Sequence, residues 1–196
     1  MKYLGKIGVF LLVMFAFSGG YTVFASPARD QLKLSIDQIL TVLRTPELKG
    51  DAQKQKRREA LGTLVEERFD FKKMSQLSLG RHWKERTEAE KFEFVTLFSR
   101  LLKDTYITKI EAYTDEKVVF LKDRVEKKKA QVDTKIITKT VEIPINYRMF
   151  TRKNDQWRVY DLVIEGVSLI GNYRSQFRQM LERDSFETLM GKLKQK

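Results

Sequence analysis

Through the first half of the chain, apolar residues return every three or four positions. Leu32, Ile36, Ile39, Leu40 and Leu43 form one such stripe, and Thr45-Pro46 ends it. Leu61, Leu64, Val65 and Phe69 mark a second helix over 53–69, and Phe71, Met74 and Leu77 a short third one that stops near Gly80. Thr87 and Glu90 have the spacing of a capping box. The helix they open carries Phe94, Val95, Phe98, Leu101, Leu102 and Tyr106 on a wide apolar face.

The period shortens after Tyr113. Val118 to Leu121 reads as a strand, and Gln131 to Ile137 alternates. Val141, Ile143, Ile145, Tyr147 and Met149 hold a period of two, with Pro144 on the opposite face. A proline there predicts an edge strand or a bulge. Lys153-Asn154-Asp155 marks a turn, and Trp157 to Glu165 the last strand, with Trp157, Val159, Asp161 and Val163 on one face. Ser168 is placed to cap a final helical region with Leu169, Ile170, Tyr173, Phe177, Met180 and Leu181 inward, and Phe186, Leu189, Met190 and Leu193 extend the spacing. Helices, then consecutive strands, then helices predict an α+β fold, an antiparallel meander covered by helices. Without repeats or long linkers, residues 26–196 are expected to form a single domain.

Composition narrows the chemistry. The 196 residues include no Cys and one His, His82. That removes disulfides, thiol nucleophiles and nearly every zinc site. It also removes any Ser-His pair that does not use His82. No phosphate-binding glycine loop or nucleophile elbow is present. The first 25 residues stand apart. Lys2 and Lys6 precede an apolar run from Ile7 to Phe17, then Ser18-Gly19-Gly20, then Val23-Phe24-Ala25. This predicts a signal peptide cleaved after Ala25. The competing membrane anchor needs about 20 apolar residues, and the run is shorter.

Cleavage removes only two cations from a net charge of +12. Such a balance suits nucleic acid, anionic lipid or acidic protein partners, and export disfavours nucleic acid. Lys54, Lys56, Arg57 and Arg58 form one basic cluster, and Lys127-Lys128-Lys129 another. Such clusters are more often a solvated helix face and a hairpin tip than a docking patch for anionic lipid or an acidic surface.

Periodicity does not separate a solid core from a lined cavity. The helix side would supply Phe94, Phe98, Leu101 and Leu102, and the sheet side Val141, Ile143, Ile145, Tyr147 and Met149, with Trp157 and Val159. Asp161 or Glu165, beside Tyr147 and Tyr160, suggests a buried carboxylate base for an isomerase or hydrolase. The alternative for Asp161 is a strand residue held by Arg or a backbone amide.

Several stretches together resemble the MlaC family, also called the toluene-tolerance family. These are Arg68-Phe69-Asp70-Phe71, Met74, Leu79-Gly80 with Trp83, and Thr87, Phe94, Phe98, Leu101-Leu102 and Tyr106. The strongest are Trp157-Arg158-Val159-Tyr160-Asp161, Glu165-Gly166-Val167-Ser168-Leu169 and Asn172-Tyr173-Arg174-Ser175-Gln176-Phe177. Arg29 to Lys49 and Val125 to Lys139 carry none of the family's residues and are candidates for docking surfaces.

The resemblance implies a cone-like, nuclear-transport-factor-type fold with added N- and C-terminal helices. It implies a non-enzymatic periplasmic carrier of glycerophospholipid, with the lipid as cargo and no cofactor or metal. The implied partners are an inner-membrane Mla ABC transporter complex and an outer-membrane lipoprotein–porin complex, and the implied role is maintenance of outer-membrane lipid asymmetry. The lipid would lie against the helix and sheet residues named above, with Val167, Leu169, Ile170 and Tyr173 at the rim. Arg174 and Arg178 are candidates for a phosphate contact or, alternatively, for surface salt bridges.

Overall fold

The computed structural model describes residues 25–113, 116–151 and 155–195. The expected leader is 1–25, of which 1–24 lie outside the described residues, as do 153 and 154 of the expected turn. Helix α1 spans Pro27–Arg44, with Ser26 as its cap and Pro27 in its first turn. Two short 3-10 turns lead to α2, Lys54–Arg68. Helix α3 is Phe71–Leu79, capped by Asp70, whose Oδ1 accepts from the Lys73 N–H at 2.7 Å. Helix α4 runs from Glu88 to Glu111. Its capping box closes both ways: Glu90 N–H donates to Thr87 Oγ1 at 3.2 Å, and Thr87 N–H to Glu90 Oε2 at 2.7 Å.

Five strands follow: β1 Lys117–Glu126, β2 Lys129–Ile137, β3 Glu142–Thr151, β4 Trp157–Ile164 and the two-residue β5 Val167–Ser168. They form one antiparallel meander in chain order. Helices α5, Leu169–Leu181, and α6, Phe186–Lys194, complete the α+β fold and are capped by Ser168 and Ser185.

Two local details depart from strict alternation. Pro144 does not mark an edge, because β3 lies between β2 and β4. Its carbonyl accepts from Glu165 N–H at 3.0 Å, so its nitrogen faces the same side. There the chain turns away through Glu165 and Gly166, both at positive φ, and the missing donor leaves no strand partner unpaired. The second departure is a bulge in β4. Arg148 pairs with Asp161 and Met149 with Val159, so Tyr160 is the extra residue. Trp157 and Val159 therefore share their face with Leu162 and Ile164, and not with Asp161 and Val163 as strict alternation predicts. A similar shift at Leu121 interrupts β1.

The buried apolar residues divide into two cores. One joins α3, α4, α5 and α6 around Met74, Trp83, Phe94, Phe98, Phe177 and Phe186. Its rings interlock, with Phe94 stacked on Phe98 at 5.5 Å and edge-on to Phe177 at 5.7 Å. The other packs Ala28 and Leu32 of α1 onto Ala130, Val132, Met149, Trp157 and Val159 of the sheet. Phe69 and Leu162 touch both.

Phe94 is fully buried in the aromatic core. Phe94→Ala is expected to cost about 3–5 kcal/mol in urea unfolding, because the surrounding rings cannot close around the void.

Candidate functional site

Between the two cores lies a cavity of about 360 Å³. Helices and sheet together wall it. Helix α1 contributes Leu32, Ser35, Ile36, Ile39, Leu40 and Leu43; α4 contributes Leu102, Tyr106, Ile107 and Ile110. The sheet contributes Val118, Ile136, Ile143, Ile145, Tyr147, Leu162 and Ile164, all on its inner face. Val65, Phe69, Phe71, Met74 and Leu169 close the gap between helices and sheet. The charged residues in the lining are Arg68, Lys103, Lys109 and Glu165. Lys109 and Glu165 are exposed and mark the rim, and Lys103 is paired with Glu66.

The Arg68-Phe69-Asp70-Phe71 segment has a separate task at each residue. Arg68 Nε donates to Ser35 Oγ at 2.8 Å, and its Nη1 to Gln31 Oε1 at 3.1 Å and the Trp157 carbonyl at 2.6 Å. It thereby fastens α1 to β4 beside the cavity. Burial, and next the charge of Arg158, lower the Arg68 pKa from its ordinary value. Phe69 bridges the cores, Asp70 caps α3, and Phe71 reaches the cavity.

Tyr147, Tyr113 and Tyr106 bring phenols to a wall that is otherwise largely aliphatic. Burial raises the pKa of all three above the ordinary tyrosine value, Tyr147 furthest; the Tyr113 and Tyr173 phenols add smaller electrostatic pushes on Tyr147 and Tyr106.

Of the residues expected to line a cavity, the structure brings together Leu102, Ile143, Ile145, Tyr147 and Leu169. The other ten lie elsewhere. Phe94, Phe98 and Ile170 sit in the helical core, with Leu101 and Tyr173 packed on it. Met149, Trp157 and Val159 sit in the sheet core. Val141, 54% exposed, precedes β3, and Val167, 62% exposed, lies on β5. Arg174 and Arg178 line a separate cleft with Gly80, Arg81 and His82, which shares no residue with the cavity.

The residues that sequence reasoning missed follow a clear pattern. The α1 stripe was visible as a helix face, but nothing in its spacing said it faced a void. Leu162 and Ile164 were hidden by the β4 bulge. Arg29 to Lys49, expected as a docking surface, includes the whole α1 wall.

Asp161 is 4% exposed and is not part of the cavity lining. Its carboxylate accepts from Arg148 Nη1 at 3.0 Å, Ser168 Oγ at 2.7 Å and the Ile170 N–H at 3.0 Å. It ties the start of α5 to the sheet. Glu165 does line the cavity but is exposed. Among the described residues, no group of three or more His, Asp or Glu side chains is placed to hold a metal.

An apolar chamber between a bulged antiparallel sheet and a helical layer defines a small-molecule-binding α+β fold. The family model described as MlaC protein matches residues 33–195, and the chain belongs to that family. The fold is also similar to that of a phospholipid-binding protein from Ralstonia solanacearum, solved in complex with a phospholipid. The TM-score is 0.76 at 24% identity, over 87% of this chain and 96% of that one.

Two predictions follow from this geometry. Arg68→Met is expected to destabilise the fold by about 2–3 kcal/mol, because the Trp157 carbonyl and Ser35 lose a charged donor. Hydrogen exchange of the α1 amides, compared with that of α4, checks that the loss loosens α1 first. For the buried tyrosines the sign is set by unfolded phenols that ionise near pH 10 while the folded ones resist. Their contribution is intact below about pH 10 and is lost as pH rises further. Melting temperature and phenolate absorbance, followed together, should show unfolding and ionisation in one step.

Proposed function

We propose that this chain is a periplasmic phospholipid carrier, exported by cleavage after Ala25, that holds acyl chains in the cavity between its two cores. The apolar chamber walled by α1, α4 and the sheet carries this reading. Membership of the MlaC family and the fold shared with a phospholipid-bound protein support it.

The energetics explain why a carrier needs such a chamber. Each methylene kept from water is worth about 0.8 kcal/mol, so exposing two chains of about 14 methylenes each costs on the order of 20 kcal/mol. Unassisted escape from a bilayer is therefore slow. A pocket that is itself apolar removes that barrier for the soluble complex, and transfer between bilayer and pocket is then close to balanced. Direction comes from partners, which we assign to an inner-membrane ABC transporter complex and an outer-membrane lipoprotein–porin complex; this traffic maintains outer-membrane lipid asymmetry. The exposed Lys109 at the rim suits the anionic phosphate of a head group left near solvent.

Of the expected contacts, we retain Leu102, Ile143, Ile145, Tyr147 and Leu169, and we add Ile39, Leu43, Ile110 and Leu162. The chain acts by binding, without catalysis. A carboxylate base is disfavoured because Asp161 is committed to Arg148, Ser168 and the Ile170 amide.

Protein purified without detergent and extracted with organic solvent is expected to yield about one diacyl phospholipid per chain by mass spectrometry. Ile39→Asp, which places a charge on the cavity wall, should lower that yield at least tenfold. Phe98→Leu, in the solid helical core, should lower stability and leave the lipid yield unchanged. An empty wild-type chamber, or equal loss in both variants, counts against the reading.

A further inference from the structure

The α1 wall of the cavity is fastened through its N-terminal half. Ser26 N donates to Asp123 Oδ2 at 3.2 Å, and Arg29 Nη1 to Asp123 Oδ1 at 3.3 Å. Arg29 Nη2 reaches the Phe120 carbonyl at 3.4 Å. Gln31 Oε1 accepts from the Trp157 N–H at 2.9 Å, and Ser35 is held by Arg68. From Ile36 to Leu43, where most of its lining residues stand, the helix shows no hydrogen bond or ion pair to another element among the described residues. The angle of that apolar wall is therefore set at the Ser26 end.

Asp123 is the unusual member of this set. Its side chain is only 10% exposed, on the inner face of β1, and it receives the very backbone nitrogen at which the expected cleavage would start the chain. Hydrolysis of the Ala25–Ser26 bond leaves the water's hydroxyl on the Ala25 carbonyl carbon. The Ser26 nitrogen takes up protons and becomes an α-ammonium. That cation stands at the N-terminus of α1, where the helix dipole repels positive charge. It needs an anion within contact distance, and Asp123 is already there.

We infer that Asp123 is the binding site for the processed N-terminus, and that removal of the leader converts an amide–carboxylate hydrogen bond into an ion pair that seats α1 as the cavity wall. Arg29 lies on the other carboxylate oxygen, so the two cations flank Asp123 without sharing an atom of it. The signal carried by processing is a single charge placed beside a carboxylate that is only partly open to solvent, where screening is weaker than at a fully exposed site. This inference rests on the export part of the proposed function and is independent of what the cavity holds.

The test compares two delipidated chains, one beginning at Ser26 and one at Tyr21, in which the Ser26 nitrogen remains an amide. The chain beginning at Ser26 is expected to melt about 2–4 °C higher. Asp123→Asn should erase that difference. Equal melting temperatures, or a gap that survives in Asp123→Asn, overturn the inference even if the variant is itself less stable. N-terminal sequencing of the exported chain should read Ser26 first, and another first residue overturns the assignment of Asp123 to processing. Because lipid is absent from both chains, neither outcome depends on the carrier reading.

Discussion

The chamber exists because the main chain at Phe69 and Asp70 is pinned to one point of the sheet. Asp70 N–H donates to the Val159 carbonyl at 2.8 Å, and Arg158 reaches back to the carbonyls of Glu66 and Phe69 at 2.7 and 2.6 Å. Phe69 thereby forms a parallel bridge to Val159. The contact fixes where α2 ends and α3 begins relative to β4. Once fixed, α3 leads into the aromatic core while α2 stays with α1 over the sheet. The two cores diverge from this hinge and leave between them a gap lined by apolar residues of both. Close packing is the rule in protein interiors, so an opening of this size lined by aliphatic side chains reflects how the walls are held apart.

Much of this architecture was legible in the residues. The capping box at Thr87 and Glu90, the stop at Gly80 and the period of two through Ile143, Ile145, Tyr147 and Met149 each express a local rule, and local rules survive folding. What was not legible is where one apolar face ends against another. Phe94 and Phe98 share a face of α4 with Leu102, yet both meet Phe177, and Phe94 also Phe186, while Leu102 reaches the cavity. The difference is made by α5 and α6, far away in sequence. Met149 and Ile145 likewise share one strand face, but only Met149 lies under the first turns of α1.

The bulge at Tyr160 shows how one extra residue redirects a functional reading. With strict alternation Asp161 sits beside Val159, on the same face as the cavity, and looks like a buried base. The extra residue turns it to the opposite face and brings Leu162 inward. A carboxylate inside the chamber would lose its water to an apolar ligand at a large desolvation cost. The same carboxylate outside it satisfies the Ile170 amide in the first turn of α5 and neutralises Arg148. Wall chemistry and helix anchoring are thus separated by a single backbone irregularity.

The walls also differ in how they are held. The sheet is continuous from β1 to β5, and α4 is locked into the aromatic core, so neither can yield without breaking many contacts at once. The far half of α1 rests on the cavity through apolar side chains. The turns beyond it are held by Arg57, which donates to the Leu48 carbonyl at 2.6 Å and pairs with Glu111 at the end of α4. Apolar contact is not directional, so side chains such as Leu40 and Leu43 can slide against an acyl chain as readily as against Ile110. For the proposed carrier role this asymmetry is useful: one wall can adapt to a bound lipid while the bonds at its base return it to the same place.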